Sequence, residues 1–147
     1  MENNNYENYK NNRLEEQIKW YDKKSTCEKK IYYFLRLSQL ILSALIPVLT
    51  GLVLKFHIFI LIISFFGGAI TVIEGIASFT KVHEKWIQYR QICELLKQEK
   101  FSFEASAGIY DDNSADVFKT LVQRCESIIS SENINWANLD NAKKGRK

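Results

Sequence analysis

LSQLILSALIPVLTGLVL (Leu37–Leu54) and IFILIISFFGGAITVIEGIASF (Ile58–Phe79) stand three residues apart, joined only by Lys55-Phe56-His57. From Leu37 to Phe79 just two residues, Lys55 and Glu74, carry a formal charge. As helices the two runs reach roughly 27 Å and roughly 33 Å, against a hydrocarbon core of about 30 Å. So short a link predicts an antiparallel pair with both chain ends on one side. The alternative, a buried hairpin in a soluble bundle, requires the other residues to wrap two apolar helices. Most of those residues are charged or amphipathic on one face only, which counts against it. The expected fold is an all-α membrane protein built on an antiparallel two-transmembrane helical hairpin.

Working outward, eight Lys/Arg precede Leu37, eleven follow Phe79 and one lies in the link. The positive-inside rule therefore predicts both termini in the cytoplasm and the Lys55–His57 tip outside. The polar first 30 residues hold no apolar core, so a cleavable signal peptide is not expected. The 147 residues are 46% hydrophobic and 25% charged with a formal net charge of +3, but the two classes are segregated, not mixed. One proline and six glycines argue against a collagen-like or Pro/Gly-rich disordered chain. Cys27, Cys93 and Cys125 are too widely spaced for a disulfide scaffold or zinc ribbon, and read as reduced core residues. The length fits one compact unit.

Residues 1–12 are Asn-rich and predict a disordered start. From 13 to 36 a cytoplasmic helix is expected, with a seam of period 3.5 through Leu14, Ile18, Tyr21, Ser25, Glu28, Tyr32 and Leu35. The same spacing returns after the second span at Val82, Trp86, Tyr89, Cys93, Leu96, Lys100 and Phe103. Neither stretch contains Pro or Gly, so each is expected to continue its membrane helix, the second running unbroken from Ile58 to Phe103 through the 80–104 segment. The short link sets the register: Asp22 comes level with Arg90, Trp20 with Ile92 and Arg36 with Ile76. Residues 106–113 form a turn cluster, and a docking helix over 114–132 follows, with Ser114 as N-cap and Phe118, Leu121, Val122, Cys125, Ile128 and Ile129 as its apolar face. The basic tail 137–147 is expected to be disordered.

No Gly-rich phosphate loop, GxSxG, HExxH or CxxC occurs, so no catalytic residue, cofactor or metal is expected. The more informative pattern lies in the second span. Gly67, Thr71, Glu74 and Ser78 share one helix face, with Gly68 and Gly75 beside them. Such a stripe can line a pore or an oligomer interface. Equally, Glu74 sits near the cytoplasmic boundary, where it can pair with Arg36 or Gln39. Ser43, Pro47 and Gly51 make a second small-residue face, and either stripe can be hairpin packing alone. Beyond the span, Arg90, Glu94 and Lys97 are spaced for salt bridges along a helix. They read either as a solvated face or, with Trp20, Asp22, Trp86 and Tyr89, as a packing network.

The run Lys85-Trp86-Ile87-Gln88-Tyr89-Arg90, followed by Glu94-Leu95-Leu96-Lys97-Gln98-Glu99-Lys100-Phe101, resembles the WxxYRxxxExLxxE signature of the SLATT families, bacterial two-transmembrane effector domains. Trp20-Tyr21 with Lys23-Lys24, Leu45-Ile46-Pro47, Gly68-Ala69-Ile70-Thr71-Val72-Ile73-Glu74-Gly75 and Gly108-Ile109-Tyr110 are similar too. The likeness covers about residues 14 to 136, implying one domain over 13–136. It implies a membrane protein of the bacterial inner membrane that oligomerises and acts as a pore-forming or membrane-perturbing effector in conflict systems. It also implies a nucleotide-signalling or sensor protein as partner.

The expected function is thus a homo-oligomeric two-span protein whose assembly permeabilises the membrane. Two helices alone enclose no aqueous path. Thr71 and Glu74 are the candidate polar wall, and Trp86, Tyr89, Arg90 and Glu94 the subunit contacts. The alternative is a non-conducting anchor whose cytoplasmic helical stem binds a partner protein. The bilayer is the first partner in either case, and no nucleic acid is expected.

Overall fold

With so few helix breakers, long helices are the default, and the computed structural model contains no strand among its described residues, 2–111 and 117–144, with side chains described over 6–111 and 117–131. The order is α1 (Glu2–Tyr9), a π-helical turn (Lys10–Leu14), α2 (Glu15–Leu52), α3 (Ile58–Thr80), α4 (Val82–Glu104), a 3-10 turn (Gly108–Tyr110) and α5 (Val117–Lys144). Two of these helices, α2 and α3, are long and apolar enough to cross a membrane. The chain divides into two compact units, Met1–Lys23 with Tyr89–Lys147, and Lys24–Gln88. Both α2 and α4 contribute to each.

The first unit is a charged helical bundle around a small core. Tyr6, Leu14, Tyr21, Ile92, Cys93, Leu96, Tyr110, Leu121 and Cys125 are buried there, with Ile18, Tyr89, Phe103, Phe118, Ile128 and Ile129 packed against them. Both seams supply this core at period 3.5, so their spacing translates directly into burial. Each fully buried side chain of this size contributes about 1.5–3 kcal/mol. Among the described residues no buried side-chain nitrogen or oxygen lacks a hydrogen-bond partner.

The second unit has the opposite surface. Leu54 is 95% exposed, Phe79 83%, Phe65 73% and Phe34 71%, and the most apolar 18-residue window of each long helix is 0% buried. Hydroxyls are turned inward instead: Ser38, Thr50, Ser64, Thr71 and Thr80 each donate to the carbonyl four residues back, at 2.7–3.0 Å. That gives each hydroxyl a partner within its own helix. Pro47 sits inside α2 without ending it.

Several boundaries differ from expectation. Residues 2–9 are helical, because Tyr6 and Tyr9 supply an apolar foothold against Phe103 and Phe118 that the surrounding asparagines hide. Cys27 is exposed, unlike Cys93 and Cys125. The final helix runs to Lys144, past the expected end at 132 and into the segment expected to be disordered; the proposed Ser114 cap lies outside the described residues.

The unbroken helix expected from Ile58 to Phe103 is interrupted at Lys81, which is left-handed at φ 50, ψ 40. Lys85 N–H still donates to Lys81 C=O at 3.1 Å, so α4 starts immediately, with Val82 buried. A left-handed lysine costs roughly 1–2 kcal/mol, a cost that glycine avoids. Lys81→Gly is therefore expected to raise stability by up to about 1 kcal/mol, and Lys81→Val to lower it by at least that. Melting followed by circular dichroism checks the order; a stabilising valine would contradict the break.

Candidate functional site

Two clusters were singled out by sequence, and they fall in different units. In the charged bundle, Arg90 Nη1 lies 3.2 Å from Asp22 Oδ1 and its Nη2 lies 2.8 Å from Glu94 Oε1. Lys97 Nζ completes the circuit, 3.4 Å from Glu94 and 3.9 Å from Asp22. Four alternating charges thus close a ring between α2 and α4. Beside it the Trp20 ring meets Tyr21 edge-on at 4.9 Å and Tyr89 at 5.9 Å. Trp86 falls in the other unit, where its indole N–H donates to His83 Nδ1 at 3.3 Å and Lys29 Nζ lies 5.9 Å from its ring.

The bundle holds three further constellations in which a tyrosine and a cation share one carboxylate. Glu99 accepts from Tyr110 Oη and from both Nε and Nη2 of Arg124, at 2.9 and 2.6 Å. Glu104 takes Tyr6 Oη at 2.9 Å and Lys10 at 2.7 Å. Glu126 takes Tyr9 Oη at 3.2 Å and Arg13 at 3.1 and 3.0 Å. The hydrogen-bonded cation holds each carboxyl below its ordinary range, against the opposing effect of burial. Burial lifts the Tyr110 phenol above its usual value and pushes the Cys125 thiol up to about 12, so that thiol is no ready nucleophile. Sequence reading missed these constellations because their partners lie on other helices, far beyond any helical spacing.

In the apolar unit, Glu74 Oε2 accepts from Arg36 Nη1 and from Gln39 Nε2, both at 2.9 Å. Of the two roles open to it from sequence, the boundary partnership is the one these distances describe. Thr71 donates to Gly67 C=O at 3.0 Å, and Thr71, Glu74 and Ser78 are all exposed. A Cβ added at Gly51, Gly67, Gly68 or Gly75 would meet nothing within 4 Å. Packing within the chain therefore does not require these residues to be small. A cleft of about 470 Å³ opens nearby, lined by residues of α2, α3, Lys81 and the start of α4.

Together these features define a helical protein with two exposed apolar helices and a charged bundle. Residues 16–117 match a family described as protein of unknown function (DUF4231), and the chain belongs to it. No curated protein and no solved structure matches the chain.

Proposed function

We propose that the chain is a two-span bacterial inner-membrane protein of SLATT type, α2 and α3 forming an antiparallel hairpin with both termini cytoplasmic. It homo-oligomerises to permeabilise the membrane as a conflict effector, under a nucleotide-signalling or sensor partner. The observation that carries this reading is that neither apolar window holds a buried residue, an exposure that water tolerates poorly and lipid favours. The inward-bonded hydroxyls support it, since hydrocarbon offers them no other partner. The uncovered glycines support oligomerisation, because small residues let a second backbone approach closely.

A second reading, a non-conducting anchor, draws on one observation: Glu74 is engaged by Arg36 and Gln39 and is not aimed at an open path. Expression in bacteria with a membrane-potential dye separates the two. Depolarisation is expected from the wild type and is expected to vanish in Gly68→Ile, a variant that leaves the chain in the membrane fraction but reduces its size in detergent to one copy. Glu74→Leu is expected to abolish the current as well. A wild type that is monomeric and electrically silent would remove the pore and leave the anchor; chain washed off by carbonate would remove both.

A further inference from the structure

The cleft in the apolar unit joins three backbone segments at one level. Arg36 directly precedes the first apolar run, Glu74 and Ser78 lie near the end of the second, and Lys81, His83 and Glu84 follow it. The cleft has a volume of about 470 Å³, within the range of small-molecule sites, and is widely open to its surroundings. Its charges are balanced. Arg36 is neutralised by Glu74 at 2.9 Å, and among the described residues Lys81 and Glu84 have no ion-pair partner. His83 Nδ1 accepts from the Trp86 indole at 3.3 Å. The Tyr32 ring lies tilted against the same imidazole, with centroids 4.7 Å apart. The left-handed turn at Lys81 places this lysine at the junction, three positions before the glutamate.

We propose that this cleft binds the headgroup of a zwitterionic aminophospholipid, its phosphate on Lys81 and its ammonium on Glu84. One open cation and one open carboxylate match a phosphoethanolamine group in sign and number. An anionic headgroup would satisfy Lys81 but set its charge against Glu84. Phe79 and Leu37, next in sequence to the lining residues Ser78 and Arg36, are both exposed and offer apolar surface for the acyl chains. This assignment rests on the two-span reading, which puts the cleft at the edge of the hydrocarbon.

The test uses the full chain in nanodiscs of equal parts phosphatidylethanolamine and phosphatidylglycerol, with retained lipids counted by native mass spectrometry. Wild type is expected to retain the ethanolamine lipid roughly fivefold over the glycerol lipid. Glu84→Gln is expected to erase that preference, and Glu84→Lys to reverse it. Glu84 is exposed, and circular dichroism confirms that its variants remain helical. Retention in the bulk ratio, or a preference indifferent to residue 84, overturns the site while leaving the membrane reading intact. Failure to enter the nanodisc removes both. Phosphorus NMR with free phosphoethanolamine and detergent-solubilised chain separates the sources. Binding as tight as the lipid's would assign the cleft to a soluble ligand and overturn the lipid.

Discussion

Leu96→Ala is expected to cost the charged bundle about 2–5 kcal/mol, the largest effect of any single truncation proposed for this chain. Leu96 is 0% exposed and shares its cluster with Tyr21, Cys93 and Leu121. Removing three carbons there loses their transfer free energy and leaves a cavity that helices can only partly close. Leu95, its neighbour, is 46% exposed, and Leu95→Ala is expected to stay within about 0.5 kcal/mol. Urea denaturation of the two variants measures the contrast. Equal costs would mean that the seam does not carry the fold.

Acid is expected to act on the same bundle through its carboxylates. Glu99, Glu104 and Glu126 are held below their ordinary range by Arg124, Lys10 and Arg13 respectively, and Glu15 is held down by Lys100. A group whose folded value lies below its unfolded one contributes stability above the unfolded value, about 4.3 for glutamate, and loses it as pH falls through the folded value. The urea midpoint should therefore be level near neutrality and fall below about pH 4.5, continuing down toward pH 3. Glu99 dominates because it is the most buried of the four, with a side chain 12% exposed. Glu99→Gln should lower stability at pH 7 by stranding Arg124, and should flatten the acid limb. A midpoint unchanged from pH 7 to 3 would show that these contacts do not persist in solution.

The stripe of small residues behaves differently from the seams. Leu14, Tyr21, Cys93 and Leu96 could be picked out because helical spacing alone brings such residues to one face, and burial followed that face. The pairing of Asp22 with Arg90 could be anticipated because a short link leaves little freedom of register. No spacing rule links Glu99 to Arg124, or Glu126 to Tyr9 and Arg13. These groups meet only after α1 and α5 have docked. The Lys81 break left no mark either, since a lysine in a left-handed conformation looks like any other lysine. Trp86 followed the seam period, and its bond to His83 was not legible there.

What the amino-acid order determined by itself is what short-range physics controls: helix throughout the long uninterrupted stretches, two runs with the length and apolarity to cross a bilayer, and the faces that would be buried. The carboxylate that each cation would find, the break at Lys81 and the cleft beside it were decided only in the tertiary structure. Periodicity states which side of a helix is apolar, but a hydrogen bond between residues 117 positions apart exists only where packing has brought two helices within reach.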